Sequence, residues 1–147
     1  MPNIAEVSLV YKASQSVETL PTITSPQEAA EYLRSIWDDD KLELQEEFVV
    51  VLLDFSKHVL GWSIVSSGGQ TATIVEPSAV FQLALLVKAD SILCCQLPPE
   101  RKFKGEQCGY FSDDPSNERR KVTGLTLDDH ITLTRGGYLS LRKEGLF

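Results

Sequence analysis

Seven residues, Phe48-Val49-Val50-Val51-Leu52-Leu53-Asp54, constrain this chain more than any others. A run of β-branched and apolar residues without polar alternation suits a strand buried on both faces, which requires a layer of structure above and another below. Helix signals flank it. Ser25-Pro26-Gln27-Glu28 places an N-cap serine, a proline in the first turn and a glutamate able to close a capping box. From there the spacing predicts a helix to about Trp37, with Ala29, Leu33, Ile36 and Trp37 toward the core. Pro77 opens a second helix to about Lys88, apolar nearly all round and therefore expected to be buried. Ser91 to Cys95 reads as another buried strand. The expected architecture is one α/β layer structure, a mixed sheet with helices packed on it.

The remaining segments fill in that plan. Residues 4–11 alternate loosely enough for an edge strand, and Ala13 to Thr24 is a polar connector. Ser56-Lys57-His58 reads as a turn that leaves His58 at the surface, followed by a return strand over Val59 to Ser66. Thr71 to Val75 extends again. Short strands are expected at Val122–Leu127, Ile131–Thr134 and Tyr138–Leu141, the last two joined at Arg135-Gly136-Gly137. Gln96 to Arg120 lacks periodicity. One domain over residues 1–147 follows, with 1–24 as N-terminal strand and connector and 96–120 as a divergent loop.

Charge narrows the function classes. The chain carries 21 acidic and 14 basic residues, a net charge of −7. Phosphate binding needs clustered cations, so direct nucleic-acid binding is disfavoured. Arg101, Lys102, Lys104, Arg119, Arg120 and Lys121 flank the loop, but Glu106, Asp113, Asp114 and Glu118 offset them. No apolar run approaches the ~20 residues of a membrane helix. Met1 to Glu6 has no basic start or apolar stretch of a secretion signal, and three cysteines make a poor disulfide framework. The expectation is a cytoplasmic chain that does not engage membranes.

The informative departure is Ile92-Leu93-Cys94-Cys95-Gln96-Leu97-Pro98-Pro99-Glu100. Together with Glu43 to Asp54, Ser66 to Pro77, Asp129 to Thr134 and Gly137 to Leu146, it resembles the RadC family, a branch of the JAB/MPN (JAMM) metalloprotease-like domains. The resemblance covers essentially the whole chain except residues 95–120, in a short stand-alone form, and implies a cytidine-deaminase-like α/β/α fold. Family members read Ile-Leu-x-His-x-His-Pro-Ser-Gly at this point, and a later Asp completes a zinc site. Here Cys95 stands at the first His, Leu97 at the second, and Pro99-Glu100 replace Ser-Gly. The third ligand falls near Cys108, where no Asp lies, and Asp113 and Asp114 sit beyond it.

The chemistry that the resemblance implies is hydrolysis by a zinc-bound water, with a glutamate before the first core strand as general base. Glu46 or Glu47 occupies that place, and the sequence leaves the choice open. Thiolates bind zinc well, so Cys95 with Cys108 is a conceivable pair, but Leu97 donates nothing. Cys94 cannot replace it, because strand neighbours point to opposite faces. Recruiting His130 or Asp114 would require a rearranged loop.

The expected protein is thus a catalytically inactive JAMM-fold interaction or scaffold module without a cofactor and with a protein partner. Phe103, Tyr110 and Phe111 either form its contact surface or fill the vacated pocket. The alternatives are a zinc-dependent protease or isopeptidase with atypical ligands and, from the family's association with DNA repair and mobile elements, an accessory protein in those processes.

Overall fold

The computed structural model describes residues 19–37, 47–67, 77–97, 124–134 and 136–145. Two helices, α1 (Pro26–Ile36) and α2 (Pro77–Leu86), pack on a five-stranded sheet. Its strands are β1 (Glu47–Leu53), β2 (Val59–Ser67), β3 (Ser91–Leu97), β4 (Thr126–Thr134) and β5 (Gly137–Ser140), in the order β2-β1-β3-β4-β5. Only β3 and β4 run parallel, so the sheet is mixed. Every residue of β1 is buried, as its unbroken apolar run requires of a strand with neighbours on both edges.

Alternation along the strands sorts the interior into two cores. Val49, Val51, Leu53, Leu93, Cys95, Ile131 and Leu133 face α1, where Ala29, Ala30, Leu33 and Trp37 meet them. Phe48, Val50, Leu52, Ile92, Cys94 and Leu127 face the opposite way, against Val80, Phe81 and Ala84 of α2. Fully burying a side chain such as Leu33 contributes about 2 kcal/mol, and the helices are held mainly by these faces. The three-layer expectation stands.

The start of α1 differs in one detail. Ser25 caps it, its hydroxyl accepting from the Glu28 amide at 3.1 Å. The Glu28 carboxylate, however, reaches one residue further out, accepting from the Thr24 amide at 2.7 Å and the Thr24 hydroxyl at 2.9 Å. At the other end of the helix, Arg34 donates to the carbonyls of Thr134 and Gly137, both at 2.9 Å, and ties α1 to the β4–β5 hairpin.

Four expectations need correction. First, α2 is not buried all round: Leu85 and Leu86 are 56% and 39% exposed, because a helix lying on one sheet face has nothing described against its outer side. Second, β3 continues past Cys95, so Gln96 and Leu97 belong to the sheet. Third, Asp128, Asp129 and His130 do not separate two strands. They lie inside a continuous β4, with a register shift between Ile92 and Leu93 of β3. Fourth, His58 is half-buried, its Nδ1 3.0 Å from Asp54 Oδ2. The expected strands at 4–11 and 71–75 lie outside the described residues.

The β1–β2 connection is a tight turn. The Lys57 amide donates to the Asp54 carbonyl at 3.0 Å and the Asp54 amide to the His58 carbonyl at 3.1 Å. Lys57 adopts φ +66°, a left-handed conformation that is uncommon for a side chain with a Cβ. Pro21 to Ile23 run beside this turn, where the Val59 amide donates to Pro21 and the Ile23 amide to Lys57. Among the described residues no helix is long and apolar enough to cross a membrane.

Candidate functional site

Two of the residues singled out from the sequence, Glu47 and Cys95, lie on the α1 face at the Glu47 end of β1. Glu47 is opposite Leu97 in the antiparallel ladder, and Val49 is opposite Cys95. Because alternate residues share a face, Glu47 lies on the same side as Val49, Val51 and Cys95. The sequence pattern therefore did bring Glu47 and Cys95 to one place. Glu46, Cys108, Asp113, Asp114, Phe103, Tyr110 and Phe111 lie outside the described residues.

What sequence reasoning missed is Trp37. As the C-cap of α1, it leaves the helix in an extended conformation with its amide still bonded to the Leu33 carbonyl. Its indole is 8% exposed and packs in the same core as Cys95. Its Nε1 donates to Glu47 Oε2 at 2.8 Å, in a buried contact. A buried carboxylate needs such a donor, since an unpartnered one carries a large desolvation cost. The carboxylate of Glu47 is thus held by a side chain from α1. Seen as sequence, Trp37 was a core residue, and nothing in its spacing marked it as Glu47's partner.

Cys95 is fully buried, and that burial pushes its thiol well above the ordinary range. Its Sγ contacts the Gln96 carbonyl at 3.9 Å, a weak interaction. Metal binding uses the thiolate, so an apolar setting that favours the protonated form opposes ligation. Leucine at position 97 has no lone pair. Cys94 faces the other core, as alternation predicts.

His130 cannot join Cys95. It is opposite Cys94 across the β3–β4 pairing and meets Phe48 edge-on, ring centroids 5.8 Å apart, on the α2 side. Burial lowers its pKa to about 4, so the ring is neutral near pH 7. Among the described residues no group of three His, Cys, Asp or Glu side chains is placed to hold a metal ion. The donors described at this end do not fit zinc, which needs at least three protein ligands in a catalytic site.

A second polar cluster sits at the opposite end of the same sheet face. Lys57 Nζ lies 2.8 Å from the Asp128 carboxylate and 3.2 Å from the Ser91 hydroxyl. Asp129, buried beside it, accepts from its neighbour's amide at 2.7 Å, from the Arg142 amide at 3.0 Å and from the Ser140 hydroxyl. Arg142 in turn donates to the Leu127 carbonyl at 3.0 Å and to the Asp128 carbonyl. These groups border a cleft of about 250 Å³ whose apolar lining includes Ile23, Ala29, Leu53 and Leu93. Asp128 and Asp129, taken from sequence as part of a strand break, are what build this cluster.

Comparison with known proteins agrees with the fold. A family model for the RadC-like JAB domain matches residues 23–146. The chain is similar to a UPF0758 protein of Clostridium acetobutylicum, at 33% identity over 97% of this chain and 61% of the relative. It is also similar to a UPF0758 protein of Aquifex aeolicus, at 29% identity over 97% of this chain and 59% of the relative. A third, from Methanosarcina mazei, shares 26% identity over 96% of this chain and 62% of the relative. The chain therefore spans about three-fifths of the length of these relatives. With the family model covering all but the two ends of the sequence, and with the mixed sheet and flanking helices in place, this chain belongs to the RadC-like JAB domain family.

Proposed function

We propose that this RadC-like JAB chain acts as a non-enzymatic interaction or scaffold module rather than as a zinc hydrolase. The observation that carries the reading is the buried bond from Trp37 Nε1 to Glu47. A general base must reach the water it deprotonates. Glu47 instead accepts from a protein indole, beside a buried thiol that favours its protonated form and opposite a leucine in the strand ladder. With Glu47 read as the family glutamate, three requirements of hydrolysis are affected: one oxygen of the base is engaged, the first donor is a buried thiol and the second is a leucine. The fold keeps its core at these positions, which is what a binding scaffold requires.

Zinc content of protein purified without chelators tests this directly. Well under one zinc per chain is expected, with no peptide or isopeptide cleavage that responds to added zinc or to chelator. About one tightly held zinc per chain would overturn the reading and favour a zinc protease with atypical ligands. The double variant Cys95→His, Leu97→His is likewise expected to remain inactive, because an acidic third ligand is missing near Cys108.

A further inference from the structure

Pro21 to Ile23 are where the N-terminal part of the chain meets the sheet. Thr22 bridges His58 in the antiparallel sense, and the Val59 amide donates to the Pro21 carbonyl at 2.8 Å. Val59 opens β2, so this contact sits at the strand's start, on the edge away from β1. Further along, Gly61 to Ser67 have β1 on one side, and no described strand runs along the other.

Both faces beside that edge are apolar and open. Trp62 and Ile64, opposite Val51 and Val49 in the ladder, are 44% and 45% exposed on the α1 side. On the α2 side, Ala79, Leu83, Leu85 and Leu86 border a groove of about 700 Å³ together with Ser63 and Ile64. Leu85 is 56% exposed there. A long apolar strand edge invites unwanted pairing, and chains commonly cover one.

We propose that residues 4–11 of the same chain cover this edge as an added strand, antiparallel to β2. Their pattern fits the place. Ala5, Val7, Leu9 and Tyr11 share one face of an extended chain, with Glu6 and Ser8 on the other. The first face goes toward the α2 groove, and the second toward the side where Trp62 and Ile64 meet water. Their length fits as well, matching the nine residues of β2.

The tether decides both occupant and direction. Only residues 12–18 separate the segment from Thr19, and Pro21 is already bonded to the start of β2. Antiparallel addition brings Tyr11 to that start, near Gly61, so the connector closes as a loop beside Pro21. Parallel addition would instead stretch the connector back along most of the strand, close to its limit of about 3.5 Å per residue. So short a tether also holds the segment at an effective millimolar concentration, which favours it over a second copy or a free peptide.

Residue-by-residue amide exchange on the full chain by NMR tests the proposal, with thermal melts confirming that each variant folds. Alternate amides of residues 4–11 are expected to exchange at least about tenfold more slowly than in the free peptide. Leu9→Asp is expected to abolish that protection and to speed exchange in β2, whereas Ser8→Asp, with the same added charge, leaves both unchanged. Contacts of residues 10–11 with 60–61 are expected, and contacts with 66–67 would overturn the assigned direction. Exchange of residues 4–11 at the free-peptide rate overturns the proposal, and so does protection that both variants abolish or that neither does. Loss of protection without any change in β2 means that the segment docks elsewhere. Protection that fades on dilution means that a second copy supplies the strand, and the proposal fails.

Discussion

At one end of the α1 face, Trp37 and Glu47 meet beneath the helix C-terminus; at the other, Lys57, Asp128, Asp129 and Arg142 surround an open cleft at its N-terminus. The same strands, β1 and β3, supply both ends. At the first, the polar atom on the sheet is met by an aromatic from the helix. At the second, polar groups satisfy one another around a cleft whose apolar lining of Ile23, Ala29, Leu53 and Leu93 is itself buried. The two ends of one sheet face thus differ in how their polar groups are satisfied: by a single indole at the first, by a network of side chains and carbonyls at the second.

The contrast is open to attack, most strongly at Trp37. Trp37→Ala should destabilise the protein by about 4 kcal/mol, because it empties a buried ring's volume and strips Glu47 of its donor. Trp37→Phe keeps most of the volume but also removes the Glu47 donor, and should cost about 2 kcal/mol. Urea denaturation measures both. If the alanine variant proves no worse than the phenylalanine one, the Glu47 end is not packed as described.

A control lies on the far face of the sheet. His130 has its folded pKa lowered to about 4 from an ordinary value near 6.5. Between those values the unfolded chain holds the proton and the folded chain does not, so stability rises with pH across that window and is lost as pH falls. Native protein should be about 2 kcal/mol less stable at pH 5 than at pH 7 from this group alone. His130→Leu should flatten that part of the profile. Equal slopes in the two proteins would mean that the ring is protonated inside the fold.

The smallest effect belongs to the open end. The Lys57–Asp128 pair is about one-third exposed on the lysine side, so its contribution is about 0.5 kcal/mol. Lys57 also holds φ +66°, which glycine adopts freely. Lys57→Gly should therefore come out at or slightly above the native stability, while Lys57→Ala, which keeps the native backbone strain and loses the pair, should lose about 0.5 kcal/mol. Equal losses in the two variants would show that the ion pair outweighs the turn.

Much of this was written in the chain. The unbroken run over Phe48 to Leu53 specifies a strand covered on both sides, because no alternation leaves it a wet face. The cap at Ser25 and the separation of Cys94 from Cys95 follow from local geometry. The loss of a donor at Leu97 is a matter of residue identity and needs no fold at all. What the local pattern could not supply were partners. Trp37 meets Glu47 ten residues on, Lys57 meets Asp128 at a separation of 71, and Arg34 meets Gly137 at 103. Asp128 and Asp129 looked like a break because polar residues in a strand are costly until something satisfies them. Strand register and helix placement, set by burial over the whole domain, decide which groups those are, and only the assembled sheet turns Asp128 and Asp129 into the border of a cleft.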